Sequence, residues 1–479
     1  MIGKRFIKDS LIYTLAGTLP MASGIILAFF YGNLLSADLF GALSIYFGFS
    51  LLVQIIVTYS FDSSLYINFH ELKSDPQKLA EFISSAFIFI LALSLVTGIL
   101  LALLGNWLFS HVFPVDKILF FPFGVVSVAT GIFQALFKVN NSLLQTQSKA
   151  SVFFWSNLLS FSLIVGFTVV GLYVFPNDLL GPIGGRMVGV LLSATWVLSS
   201  IFRQFGFHFN WQLLKTTMNF NNTSLIYQVQ QWFIGYYDRI LLLAFVPLAT
   251  LGYYDLALKC LMAIEFVITG LNSSFYPKVL GKVALQEKKM STIEINRYYH
   301  GLTGVAIILV GGSIFCFPWL IQTLMPGYIK AIPLLPFVAI IYLLRPLRLF
   351  MAMPYAAVKY SKPLPIFYFI ILIIKISLMY LLINQMGVYG VLISTVVSYV
   401  IEIFILYFGI KDKFTFKLNA FKLILAPVLM ALMIGLLEPL WGASHSYLLH
   451  GFYVLVGGAI LLWVYWNEIK SIDIFKIVR

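Results

Sequence analysis

The sequence predicts an all-α polytopic membrane protein of 14 transmembrane helices, arranged as two parallel six-helix bundles plus two C-terminal helices. Three observations predict it: long apolar stretches, basic residues confined to alternate gaps, and an internal repeat. The chain is 61% hydrophobic and 10% charged, whereas an ordinary soluble domain carries about a quarter charged residues. Apolar stretches occur near 11–31, 39–58, 82–105, 118–138, 152–175, 181–202, 222–246, 253–275, 298–323, 331–352, 364–384, 388–409, 420–440 and 447–467. Most reach about 20 residues, enough to cross a hydrocarbon core of roughly 30 Å at 1.5 Å rise per residue. Unbroken apolar runs mark helices; a barrel strand would alternate.

Of the 31 Lys and Arg, 25 fall at the termini, in every second gap or at the stretch ends bordering those gaps (Lys138, Arg345, Arg348 and Lys422), two (Lys117 and Lys330) in the other gaps, and four deeper inside spans. Basic residues collect on the cytoplasmic side, so both termini are expected there. The same bias accounts for the net charge of +13, together with contact to anionic lipid; no phosphate-binding loop or RNA-binding signature points to nucleic acid. Cys260 and Cys316 lie within spans and form neither a zinc spacing nor a disulfide framework. The basic N-terminus (Lys4, Arg5, Lys8) before a long apolar run reads as an uncleaved first helix.

The repeat has an offset of a little over 200 residues. Leu39-Phe40-Gly41 introduces the second span and Leu251-Gly252-Tyr253-Tyr254 the eighth. Those spans close with Ser63-Ser64-Leu65-Tyr66 and Ser273-Ser274-Phe275-Tyr276. Gly181-Pro182-Ile183-Gly184 opens the sixth span, and Gly387-Val388-Tyr389-Gly390 the twelfth. The expected divisions are therefore 1–210, 211–413 and 414–479. An even number of spans per unit makes the copies parallel, an arrangement found in transporters with substrate between the halves.

Leu35-Ser36-Ala37-Asp38-Leu39-Phe40-Gly41 resembles the motif opening the second span of bacterial polysaccharide transporters. Asp238-Arg239-Ile240-Leu241-Leu242, followed by Leu251-Gly252-Tyr253-Tyr254-Asp255-Leu256-Ala257, is similar to the motif joining their seventh and eighth spans, and Gly387-Val388-Tyr389-Gly390-Val391 to the start of their twelfth. The resemblance covers spans 1–12 and is to the O-antigen flippase (Wzx-like) branch of the MATE-like MOP superfamily. It implies a flippase moving undecaprenyl-pyrophosphate-linked oligosaccharide, an O-antigen, capsule or exopolysaccharide unit, from the cytoplasmic to the periplasmic leaflet of the bacterial inner membrane. It further implies alternating access coupled to H+ or Na+ antiport, no other cofactor, membrane lipids as surroundings, and a polysaccharide polymerase and chain-length regulator as pathway partners. Lipid II flippases and MATE-type drug/cation antiporters are the alternatives within the superfamily. The first depend on arginines in spans 1 and 2, and the second usually carry an acid in span 1; Leu11–Tyr31 has neither. A membrane-bound polymerase or ligase is the rival of another class. Its large catalytic outer loop has no counterpart in external gaps whose longest is about 12 residues, around Asn106–Lys117, so no enzymatic activity is expected.

Charges inside spans cost about 2.5–3.5 kcal/mol at mid-membrane on insertion scales and mark candidate sites. Arg186, Arg239 and Lys259 lie roughly 7–11 Å below the outer face by the helical rise, and Lys375 about 13 Å. Together they suggest a ring of cations for an anion such as pyrophosphate, which arginine can grip with two parallel hydrogen bonds. Asp255 shares a helix face with Lys259, favouring a structural pair there, and is also within reach of Arg239. Ser224, Gln228, Gln231, Gly235 and Asp238 form one polar stripe on span 7, suited either to sugar hydroxyls or to interhelical hydrogen bonds. Glu265 and Glu402, with Asp255, are the ion-coupling candidates, because a desolvated carboxylate suits proton uptake. Depth also allows Glu402 to pair with Lys375, and Asp62 is expected at the interface. Pro20, Pro122, Pro318, Pro333, Pro336 and Pro427 can bend their spans.

Overall fold

The computed structural model describes residues 16–17, 19–113, 118–284, 290–358, 360, 362–443, 457, 459 and 463–467. Most of the fourteenth stretch, the basic residues of both termini, Lys117, Lys288, Lys289 and Lys359 lie outside the described residues.

Among those residues the chain is helical throughout, with one isolated backbone bridge between Met290 and Thr415. Fourteen α-helices follow in order: α1 Leu19–Leu34, α2 Ala37–Thr58, α3 Phe61–Leu72, α4 Pro76–Val112, α5 Val125–Thr146, α6 Ala150–Val174, α7 Leu180–Phe205, α8 Trp211–Phe245, α9 Leu248–Ala284, α10 Ile293–Leu324, α11 Leu335–Ala357, α12 Leu364–Met386, α13 Val388–Ile410 and α14 Ala426–Ala443. Short π or 3-10 turns precede α5, α11 and α14. Nine spans among the described residues are long and apolar enough to cross a membrane. The two long helices outside that set are α8, which carries the polar stripe, and α9, which carries Asp255, Lys259 and Glu265.

The second predicted stretch, near 39–58, is α2, and α3 follows it after a break. Tyr59 (φ 48°) and Ser60 (φ 57°) both take the left-handed conformation, an arrangement that costs a non-glycine residue about 1–3 kcal/mol. The Tyr59 amide still donates to Ile55 and Ile56, closing α2 before α3 restarts at Phe61. Polar contacts hold the break: the Tyr59 hydroxyl donates to Asn222, and the Gln228 amide donates to Ser60 Oγ at 3.0 Å.

Two compact units are present, one over Leu15–Gly252 and the other from Tyr253 onward. The first thus keeps α8 with the preceding helices, whereas the repeat motifs set a boundary at 210. Its packing rests on small residues. Along α7, Gly181 lies against the backbone of Gly171 and Gly185 against that of Phe167, so α6 and α7 touch main chain to main chain. Gly41 of α2 and Gly252 at the start of α9 face each other: a side chain on the first would strike the Leu248 carbonyl, and one on the second the Ala37 carbonyl. This crossing explains why both copies of that repeat motif carry glycine.

In the second unit α12 and α13 form the matching hairpin, with Gly390 packed on the Leu382 backbone. The segments flanking α10 and α13 are joined by the Ser291 amide donating to Thr415 at 3.0 Å and the Lys417 amide donating to Ser291 Oγ at 2.7 Å.

Candidate functional site

In the first unit the charged and polar side chains converge on α2, α5, α7 and α8. Arg186 projects from α7 toward α5. With the Gln134 amide oxygen turned to it, that oxygen accepts from Nε at 3.2 Å and from Nη2 at 2.8 Å. The reverse orientation would set an amide NH2 against guanidinium donors. The guanidinium also lies over the Phe47 ring, 4.5 Å from its centre, and within electrostatic reach of the Tyr31 and Tyr236 hydroxyls.

Arg239 lies over the ring of the same Tyr236, 4.7 Å from its centre, so one tyrosine is within electrostatic reach of both arginines predicted as site residues. Arg239 itself is buried and partly neutralised. Its Nη1 lies 3.1 Å from Asp238 Oδ1 and donates to the Gly235 carbonyl at 3.1 Å. A small cavity between α2 and α8 is lined by Ser44, Gly48, Phe49, Trp232, Tyr236 and Arg239. The Trp232 indole donates to the Gly48 carbonyl at 2.8 Å and fixes one wall.

The polar stripe of α8 divides in use. Its Asp238 end belongs to the Arg239 pair. Gln228 makes interhelical bonds, donating to Ser60 and accepting from Lys138 Nζ at 3.3 Å. Ser224 and Gln231 are half-buried, and the Gln231 side-chain nitrogen finds no hydrogen-bond partner among the described residues. Asp62, expected at an interface, is mostly buried and sits 3.0 Å from Lys138 Nζ. Lys138→Met should therefore strand the Asp62 carboxylate and cost about 1–3 kcal/mol. A drop in melting temperature, recovered by adding Asp62→Asn, is the expected result.

In the second unit each predicted acid has a basic partner. Asp255, 2% exposed, meets Lys259 at 2.9 Å one helical turn away. Glu265 meets Arg345 at 2.6 Å and accepts from Thr269 at 3.1 Å. Glu402 meets Arg348 at 2.7 Å, and Lys375 is buried in α12. Arg348 also lies 3.5 Å from the centre of the Tyr399 ring. Among the described residues no three His, Cys, Asp or Glu side chains gather to hold a metal.

The charge pattern groups Lys138, Arg345 and Arg348 with the basic gaps, yet all three lie inside helices, because α5 runs on to Thr146 and α11 to Ala357. The signal is present in the apolar residues that continue beyond them. Their arrangement repeats. The fourth helix of each copy bridges the second and sixth: α5 reaches Asp62 through Lys138 and Arg186 through Gln134, while α11 reaches Glu265 through Arg345 and Glu402 through Arg348. Lys138 and Arg348 share the sequence offset of Ser63 and Ser273.

Residues 6–279 match the family described as polysaccharide biosynthesis protein. The chain belongs to that family. Its fold is similar to those of solved flippase and multidrug transporter structures. A lipid II flippase, MurJ, in an inward closed conformation, superimposes with a TM-score of 0.69 at 16% identity, over 98% of this chain and 99% of that one. An inward-facing multidrug resistance MATE family transporter of the MOP superfamily gives 0.65 at 12%, over 90% and 99%. The MATE multidrug transporter DinF-BH gives 0.62 at 14%, over 86% and 96%. No curated protein matches the chain in sequence. This polysaccharide biosynthesis protein is accordingly a multi-pass membrane protein with a flippase and transporter fold.

Proposed function

We propose that the protein is a flippase for undecaprenyl-pyrophosphate-linked oligosaccharide, carrying it from the cytoplasmic to the periplasmic leaflet of the bacterial inner membrane by alternating access. The observation that carries this reading is Arg186, a half-buried guanidinium inside a membrane helix whose contacts are an amide and an aromatic face. Such a charge is expensive to keep. An anionic cargo that comes and goes supplies the missing counter-charge. Arg239 and Tyr236 beside it extend the surface toward a second phosphate and a sugar ring. Family membership supports a polysaccharide precursor as the load, and the basic loops support cytoplasmic termini.

Lipid II, itself a pyrophosphate-linked saccharide, is the second reading, favoured by the near-complete overlap with a lipid II flippase. Coupling to H+ or Na+ is assigned to Glu265 first, since its pair with Arg345 is the more exposed of the two on α11.

The test is translocation by the purified protein in proteoliposomes. Flipping of an undecaprenyl-pyrophosphate-linked oligosaccharide, faster than that of lipid II and driven by an imposed proton or sodium gradient, is expected. Transport of a cationic dye in place of either lipid would reject the reading.

A further inference from the structure

Gln134 links the fourth span of the first copy to the sixth, as Arg348 does in the second, and lies one turn before Lys138, the residue that aligns with Arg348. In the second unit the link from the fourth helix to the sixth is an ion pair, Arg348 to Glu402 at 2.7 Å. In the first unit the same link joins Gln134 to Arg186 through two hydrogen bonds, at 3.2 and 2.8 Å. The single amide oxygen accepts both donors, standing where one oxygen of a carboxylate would, with the counter-charge left out. One turn along α5, Lys138 already has its carboxylate, Asp62, at 3.0 Å. Arg186 makes no ion pair among the described residues.

Of the five N–H donors of a guanidinium, Gln134 takes two. Three remain, with the whole positive charge, on a group fixed in direction by the amide and by the Phe47 ring. A carboxylate at position 134 would hold the group equally well and cancel its attraction for an incoming phosphate. Alanine would leave the charge and lose its direction.

We propose that Gln134 is the positioning residue that gives Arg186 its preference for a pyrophosphate-type anion, by orienting the guanidinium without neutralising it. The inference rests on the anionic-cargo reading above. Its test is binding of inorganic pyrophosphate to the purified full-length protein in detergent, followed by tryptophan fluorescence, beside the melting temperature of each variant.

Gln134→Glu is expected to weaken pyrophosphate binding by about tenfold or more while holding or raising the melting temperature, because it completes an ion pair. A merely structural amide cannot give that opposed pair of changes. Gln134→Met, neutral and of similar length, should weaken binding less than the glutamate and reduce the preference for pyrophosphate over sulfate. Wild-type affinity in either variant overturns the inference, as does equal loss in both with a lowered melting temperature. Failure of the wild-type protein to bind pyrophosphate overturns it as well. Binding that behaves as expected, in a protein that moves no lipid-linked saccharide, sustains the role of Gln134 and rejects the flippase reading.

Discussion

Arg186→Ala is expected to abolish surface polymer in a strain lacking its own flippase, with lipid-linked repeat units accumulating inside, while the purified protein melts no lower than wild type. Both halves follow from the same geometry. The stability half holds because removing the arginine leaves behind a neutral amide, Gln134, and not a stranded carboxylate. The hydrogen bonds to that amide are worth about 1 kcal/mol each, and their removal is offset by removing an embedded charge that costs about 2.5–3.5 kcal/mol on insertion scales. The functional half holds because a hydrogen bond from a charged donor to an anion contributes roughly 1.5–3 kcal/mol. Without two such bonds to the carried phosphate, the cycle slows by orders of magnitude. Arg186→Lys keeps the charge without the planar fork and should retain partial activity. Arg239→Ala should behave differently. It exposes the buried Asp238, 3.1 Å from the missing guanidinium, to a site without its cation, so protein level falls together with transport. Normal surface polymer from Arg186→Ala at native expression would remove the cation from the mechanism.

The membrane architecture was legible because it depends on quantities that add along the chain. Length and hydropathy set the spans, and paired glycines such as Gly41 and Gly252 survive as motifs because their backbones touch. The break at Tyr59–Ser60 shows only as the end of the apolar stretch near 58, since neither residue is the glycine or proline that usually announces one. Charge pairing was legible only within a helix. Asp255 and Lys259 are one turn apart and meet. Glu265 and Glu402 find arginines on α11 that are distant in sequence, and a depth estimate along one axis cannot say which neighbour a helix turns toward. Assigning the cations near the end of an apolar stretch to the adjoining gap hides Arg345 and Arg348, and with them the partners of both acids. Gln134 was invisible for another reason: a single amide in an apolar span has no periodicity to detect, and its meaning comes only from the arginine it faces.

Arg348→Ala is expected to be the most destabilising of these single substitutions, at about 3–5 kcal/mol. It would leave Glu402, 3% exposed, as an uncompensated carboxylate between packed helices, and would also remove the cation from the face of Tyr399. Tyr399 and Glu402 are three residues apart on α13, so one helix face grips the guanidinium from two sides. The double change Arg348→Met with Glu402→Leu should recover most of the loss, because burying neither charge avoids the desolvation that breaking the pair exposes. Glu402→Gln then decides what the carboxylate is for. An ion-coupling carboxylate would show itself as transport abolished, or freed from the imposed gradient, at an unchanged melting temperature. A structural weld between α11 and α13 would show a lowered melting temperature with gradient-driven transport intact below it. The second outcome is expected, since the Arg348 pair is enclosed while that of Glu265 is open enough to exchange its partner: the Arg348 and Glu402 side chains are 12% and 3% exposed, against 30% and 21% for Arg345 and Glu265. Two arginines on one turn of α11 would then do different work, one holding the unit together as it moves and the other releasing its acid to the coupling ion.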